Sequence, residues 1–450
     1  MNRRRKKSGG KFKFFLLLIL IVAVGCWVCL SEDALRSLFG TEKIELQDTV
    51  VAEKAIDPAL LRQDSIRAAQ VAKLVDGAYR LDSTFLGLCL YDATTRQIVS
   101  EYDANKLFVP ASLMKIPTSI AALDIMGMDH KYVSTLQVRG EMVADTLVGE
   151  LLLQADDDPM VQELDTLVGM MYRSGIHAVR GSISLELARE DRLNSHPSTD
   201  AWDITVAKLS VLLKGRDAIR SSFRSALTRC AVDFQSDDIV AGMANEGSLG
   251  MWREVARLET PLTNVLTPML IHSSNVKAEA VFYHLDCFEH LIEDRQMHWD
   301  HIHAVQRFWE RQFNSGARIM GLEQNKMLGV VMNDGSGLSW GNQLSPRMLV
   351  EMLKYAWERE HLRRYLIDEG LASPGSPTRR GSLQGRMSNP QFRNRIFVKT
   401  GTLTNRAVSS LAGYIHGTDD HWYIFCIINQ RCPVAEGRLF QDEFCHLFVK

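Results

Sequence analysis

The chain has 450 residues, 46% of them hydrophobic, enough for a large core and for two or three domains. Its formal net charge of -2 argues against a nucleic-acid binder, which would carry a basic domain. No internal repeat and no low-complexity tract points to a solenoid or a disordered chain.

Residues 1–30 form a unit of their own. Arg3, Arg4, Arg5, Lys6, Lys7, Lys11 and Lys13 precede an uncharged run, Phe14 to Leu30, of about 17 residues, the lower limit for spanning a bilayer. Basic flanks stay cytoplasmic, so the rest of the chain is expected outside the cytoplasm, in the periplasm or cell envelope. The run reads as an anchor; Ala23 and Gly25 before Cys26 leave cleavage or lipidation open. Residues 31–75 read as a juxtamembrane spacer leading into a helical pattern from Pro58 through Leu74. Of eight cysteines, Cys26 and Cys29 lie in the apolar run, and the other six lack metal-ligand spacing. Cys426, Cys432 and Cys445 are near enough in sequence for a disulfide, with buried thiols the competing reading.

Phe85–Tyr91 and Gln97–Tyr102, joined by Asp92-Ala-Thr-Thr-Arg96, predict a β-hairpin. A helix is expected from Ser112 to about Met126, with Pro117 interrupting its second turn. From about Thr135 the texture changes to short strands (Thr135–Arg139, Glu150–Gln154, Gly181–Glu186), and 135–259 reads as an inserted domain. The body, residues 76–134 and 260–450, continues with helices at Val276–Leu285, His301–Asn314 and Pro346–Arg359. Strands at Ile396–Gly401, Ser409–Ile415 and Trp422–Asn429 and a closing helix, Ala435–Val449, follow. Short connections between those strands predict an antiparallel sheet flanked by helices, an α+β (α/β) fold.

Three Ser-x-x-Lys pairs occur: Ser8/Lys11, Ser112/Lys115 and Ser274/Lys277. On a helix such a pair shares one face, and a lysine whose amine is neutral can act as the base for the serine. Ser8/Lys11 falls in the basic tail and is set aside. The remaining order is informative: Ser112-Leu-Met-Lys115, then Ser273-Ser-Asn275, then Lys399-Thr-Gly401 at the end of a strand. Lys399, Thr400 and Thr402 supply a cation and hydroxyls suited to a terminal carboxylate. Gly401 would let a substrate backbone approach the strand. Two lysines converging on one serine raise each other's cost of being charged; Lys115 is expected neutral and Lys399 protonated.

Order, spacing and context of these motifs resemble the penicillin-binding proteins and serine β-lactamases. The flanking segments, Tyr91-Asp-Ala-Thr-Thr95, Phe108–Lys115, Pro268–Glu279, Asp334–Ser339, Gly381–Met387 and Val398–Leu403, are similar to those of low-molecular-mass class C penicillin-binding proteins, the D-alanyl-D-alanine carboxypeptidase/endopeptidase family. The resemblance spans roughly Val75 to the C-terminus and implies a transpeptidase-like domain carrying an inserted smaller one. Carried over residue by residue, it implies Ser112 as nucleophile, Lys115 as its base and Ser273 as proton relay. Asn275 would orient Lys115 and the substrate amide, and the N–H groups of Ser112 and Thr402 would form the oxyanion hole. Glu186 would receive a substrate amino group, as Glu where the family more often has Asp. Ser274 and Asp156-Asp-Asp-Pro159 also depart from the family pattern. The implied partners are peptidoglycan stem peptides, with β-lactam antibiotics as covalent inhibitors and the membrane as attachment; no metal and no cofactor is implied. A non-catalytic peptidoglycan-binding scaffold and a serine β-lactamase are the alternative readings.

Overall fold

The computed structural model describes residues 58–78, 81, 85–199, 204–235, 250–288, 302–319 and 327–450. The uncharged run Phe14–Leu30 and the Ser8/Lys11 pair lie outside the described residues. No described helix is long and apolar enough to cross a membrane.

The first sheet has the order β2-β1-β10-β9-β8. Its strands are β1 (Leu86–Asp92), β2 (Gln97–Tyr102), β8 (Ile396–Leu403), β9 (Val408–His416) and β10 (Trp422–Asn429), all antiparallel. β1 is buried throughout and β9 and β10 nearly so, as their almost unbroken apolar runs require of strands covered on both faces. The two-residue period divides each strand. Leu86, Leu88, Leu90, Phe425 and Ile427 meet Val71, Phe440, Phe444 and Phe448 on one side. Cys89, Tyr91, Ile424 and Ile428 join the helical core on the other.

Helix α1 (Pro58–Gly77) belongs to this body rather than to a spacer. Arg67 lays Nε and Nη2 on Asp419 at 2.9 and 2.7 Å, and Thr95 Oγ1 donates to Asp64 at 2.6 Å. The packed fold therefore reaches back at least to Pro58, inside the stretch 31–75. Cys89, Cys230, Cys287, Cys426, Cys432 and Cys445 are free thiols, so no disulfide joins the last three. Burial pushes the Cys89 thiol up to about 12, which leaves it unreactive.

Helix α2 (Lys115–Met126) runs through the centre of the helical layer, and Lys115 to Leu123 are all buried. Pro117 falls in its first turn, where an N–H would have no intrahelical partner, so it does not break the helix. The chain then leaves the body through β3 (Lys131–Val143) and returns through β7 (Arg253–Pro261), which pair with Lys131 opposite Pro261. Between them lie β4 (Thr146–Ala155), helix α3 (Asp165–Arg173), β5 (Ala178–Arg180), β6 (Ile183–Leu187) and helix α4 (Arg216–Arg229). This second sheet, ordered β5-β4-β3-β7 with β6 also on β4, is mixed: β5 and β6 run parallel to β4. Leu136, Leu151 and Leu153 from the strands pack with Leu167, Met171 and Phe223 from α3 and α4 in a core of their own.

After β7 come α5 (Leu262–Ile271), α6 (Asn275–Phe288), α7 (Ala304–Ile319), α8 (Pro346–Trp357), α9 (Glu360–Tyr365) and, after β10, α10 (Val434–Val449). A buried ion cluster links the second sheet to the helical layer. Asp157, just after β4, accepts from Arg189 Nη2 at 3.0 Å and lies 2.6 Å from His284 Nδ1 on α6. All three side chains are buried.

Candidate active site

Ser112 lies in a 3-10 turn, Ala111–Met114, rather than in an α-helix. With three residues per turn, positions i and i+3 eclipse, which brings Lys115 directly over Ser112. Lys115 Nζ donates to Ser112 Oγ at 2.9 Å, to Asn275 Oδ1 at 2.7 Å and to the Ser336 carbonyl at 2.6 Å. Its side chain is fully buried, while Ser112 keeps partial exposure.

Neighbouring backbone holds this turn in an unusual shape. Ala111 has φ 52°, a left-handed conformation that a non-glycine residue adopts only under constraint. The constraint comes from two sides. Ser410 Oγ on β9 donates to the Pro110 carbonyl at 2.9 Å. Gly337, at φ 81°, passes so close that a Cβ there would lie 1.8 Å from the Ala111 carbonyl oxygen. Gly401 serves the same packing: its Cβ would meet Ser410 Oγ at 2.2 Å and the Pro110 oxygen at 2.9 Å. The glycine therefore makes room for the protein's own nucleophile turn.

The second and third motifs converge on the first. Ser273 has φ 57° and ends the connection from α5 into α6, while Asn275 opens α6. The Ser274 hydroxyl makes a long contact, 3.5 Å, with the Lys277 N–H, and its carbonyl accepts the Ala278 N–H at 3.3 Å. Lys399 Nζ donates to Ser273 Oγ at 3.0 Å and to the Thr400 carbonyl at 2.7 Å. Burial and then Lys115 push the Lys399 ammonium well below the ordinary lysine range. β8 is the edge strand of its sheet. Among the described residues its outer side carries one bridge, Ala372 to Val398, just before Lys399. Thr400 Oγ1 donates to Ser382 Oγ at 2.6 Å, and Arg438 Nη2 donates to Thr402 Oγ1 at 3.2 Å.

The sequence reading missed the floor of this site. Asp334 accepts from Gly337 N at 2.7 Å, Ser339 N at 2.6 Å and Asn342 Nδ2 at 2.9 Å, fixing the turn that aims the Ser336 carbonyl at Lys115. Glu279 Oε1 accepts the Ser336 N–H at 3.1 Å. Burial, with the charge of Asp334, pushes the Glu279 carboxyl up to about 8. The Asp-Gly-Ser-Gly string signalled a turn, but its partners come from a helix about 57 residues away in sequence.

Glu186 stands apart from this group. It lies on β6, partly buried, and accepts from Gln154 Nε2 at 3.2 Å, while Gln137 Nε2 donates to Gln154 at 2.8 Å. Asp156 and Asp158, in the acidic turn after β4, accept the backbone N–H groups of Val133 and Met160 at 2.7 Å each.

A family model described as "D-Ala-D-Ala carboxypeptidase 3 (S13) family" matches residues 67–210 and 214–443. A D-alanyl-D-alanine carboxypeptidase of Actinomadura sp. (strain R39) is 23% identical over 456 residues, covering 83% of each chain. Among solved structures, penicillin binding protein 4 of Haemophilus influenzae has the same fold, with a TM-score of 0.64 at 16% identity over 84% of this chain and 99% of that one. A predatory peptidoglycan endopeptidase of Bdellovibrio bacteriovorus shares it at a TM-score of 0.53 and 15% identity, over 80% and 92% of the two chains.

Proposed function

Since the chain belongs to the D-Ala-D-Ala carboxypeptidase 3 (S13) family, we propose that Ser112 is the nucleophile with which this serine carboxypeptidase opens the terminal D-Ala-D-Ala bond of peptidoglycan stem peptides. The observation that carries the reading is a pair of fully buried lysines, one 2.9 Å from the Ser112 hydroxyl and the other 3.0 Å from that of Ser273.

The charge balance gives the order of events. Two buried ammonium groups repel, so one amine of the pair is neutral. An arriving substrate carboxylate, held by Thr400 and Thr402, restores the favourable charge at Lys399 and leaves Lys115 as the neutral member. Lys115 takes the Ser112 proton as Oγ attacks the carbonyl carbon. The N–H groups of Ser112 and Thr402 receive the oxyanion; losing one such donor typically costs about 3–4 kcal/mol of transition-state stabilisation. Asn275, its carbonyl oxygen occupied by Lys115, turns its amide N–H toward the substrate. Ser273 relays to the leaving amine the proton that Lys115 took from Ser112, D-alanine departs, and water hydrolyses the ester on Ser112. Glu186 is assigned the free amino group of the stem peptide. The half-open edge of β8 suits a peptide laid alongside as an added strand.

The same site cleaves a cross-link when the leaving amine belongs to a neighbouring stem, so endopeptidase activity follows from the same chemistry. β-Lactams present a strained amide to Ser112; the Haemophilus influenzae protein has been solved with one bound. Residues 135–259 are assigned as an inserted domain, and the basic tail with its apolar run as the attachment of an extracytoplasmic enzyme. Mass spectrometry of the penicillin-treated protein tests the reading. A single adduct on the Ser112 peptide, absent in Ser112→Ala, is expected; an adduct elsewhere, or none, overturns it.

A further inference from the structure

Far from Ser112 along the first sheet, three segments bring acidic and imidazole side chains to one buried point. The nucleophile turn is held near Ser410, at the end of the sheet where Ser409 faces Asn429. At the other end Asp92 closes β1 opposite Tyr423. There Asp64 of α1, Asp92 and His421 from the turn between β9 and β10 meet, with exposures of 8%, 0% and 2%.

The hydrogen bonds nearly close. Asp92 Oδ1 accepts the N–H groups of Thr94 and Thr95 at 2.6 and 3.2 Å, and its Oδ2 pairs with His421 Nδ1. Asp64 Oδ2 accepts from Thr95 Oγ1. Asp64 Oδ1, buried, has no partner. The arginine on the same helix is committed elsewhere: Arg67 binds Asp419 Oδ2, which also accepts from Gln63 at 2.9 Å and Tyr423 at 3.0 Å. Two carboxylates therefore face a single imidazole, Asp64 lying against Asp92 with one oxygen that accepts no hydrogen bond, an arrangement that costs free energy unless a shared proton or a metal cation enters it.

We propose that Asp64, Asp92 and His421 form a divalent-cation site that clamps α1 to the turns at this end of the sheet. One ligand atom from each residue lies within 4.8 Å of the others. An ion with bonds of about 2.0–2.2 Å to nitrogen and oxygen holds tetrahedral donors roughly 3.4 Å apart, so Asp64 need move in by only about an ångström while the hydrogen-bonded Asp92 and His421 part by a similar amount. One imidazole with two carboxylates suits an ion of the zinc or manganese class; calcium takes about six to eight oxygens. On binding, a bare ring nitrogen of His421 turns to the ion in place of its hydrogen bond to Asp92, and Asp64 Oδ1 gains a partner. Thr94 and Thr95 keep the remaining carboxylate oxygens and orient both ligands.

To test this, the full chain is stripped with EDTA, moved into metal-free buffer and titrated with ZnCl2 or MnCl2. Bound metal is read by elemental mass spectrometry and stability by thermal unfolding. A single bound ion and an unfolding temperature that climbs with metal concentration are expected. Both are lost in Asp64→Asn, which keeps the side chain's size and its Thr95 contact. Both survive in Asp420→Asn, which removes the exposed carboxylate beside His416. Absence of metal binding by the wild type overturns the proposal, as does equal binding by Asp64→Asn. So does an unfolding temperature indifferent to metal but raised by Asp64→Asn alone, because a proton shared between Asp64 and Asp92 then accounts for the unpartnered oxygen.

Discussion

Two buried charged clusters both draw side chains from α6, and they use burial in opposite ways. Around Ser112, Lys115 and Lys399 are fully buried and bond to hydroxyls, backbone carbonyls and an amide. Around Asp157, Arg189 and His284 close on one carboxylate. An ammonium surrounded by neutral acceptors is destabilised toward its free-base form, which makes it a base. A cation buried against its counter-ion holds its charge, which makes it a joint. The contrast lies in the partners, since both clusters are equally hidden from water.

Five experiments break or sharpen that contrast. Lys115→Met should lower the rate of acylation by penicillin by about 10²–10⁴-fold, the usual worth of a general base, while leaving the unfolding temperature nearly unchanged. A variant that labels at the wild-type rate would remove Lys115 from the mechanism. Asp157→Asn should do the reverse, costing stability of order 3–5 kcal/mol because it strands buried cations, with the acylation rate of the folded fraction preserved. Denaturant titration alongside labelling kinetics separates the two.

The same cluster predicts a pH signature. Burial alone would raise the Asp157 carboxyl, but His284 and Arg189 outweigh it and hold it well below the ordinary 3.8. Its contribution is therefore present above 3.8 and lost as pH falls through the lowered value. His284 is the mirror case: burial would lower it, Asp157 outweighs that, and the imidazole sits above the ordinary 6.5. Its contribution is full below 6.5 and is lost as pH rises through the raised value. Stability of the wild type should thus decline on both sides of a plateau, and Asp157→Asn should flatten both limbs. Identical pH profiles for the two proteins would show that the pair is not coupled to folding.

Gly401→Ala places a methyl group against Ser410 and Pro110 and should cost about 10²-fold in acylation, the penalty for shifting a nucleophile by roughly an ångström. An unchanged rate would mean the turn yields freely. Glu186→Gln should have the smallest effect, at most about tenfold in kcat/KM, as one hydrogen bond to a charged group is worth about 1.5–3 kcal/mol before solvent competes. That loss should appear for a stem peptide with a free amino group and vanish when the amine is acylated. Equal loss on both substrates would assign Glu186 to holding Gln154 in place.

Much of the site was legible because local chemistry repeats itself in sequence. Ser112 and Lys115 are one short turn apart, Lys399 to Thr402 lie on one strand, and Ser273 and Asn275 flank a helix start, so each motif announced itself. The hairpin at β1 and β2 and the strand Trp422–Asn429 followed from apolar runs between turn residues. What stayed hidden came from partners remote in sequence. Nothing near Ser336 indicates that its carbonyl would receive Lys115, 221 positions away, and the reason for Gly401 is Ser410 and Pro110 on two other segments. The docking of α1 through Asp419, 352 positions from Arg67, was equally invisible, which is why the helix was assigned to a spacer.

By itself, then, the order of residues determined which groups could do chemistry and which stretches would be strand or helix, because periodicity and motif spacing act over a turn or two. Tertiary packing decided which of those groups are reactive. Whether a lysine is a base or a joint depends on the dielectric around it and the charge facing it, and both are set by segments that meet only in the folded chain.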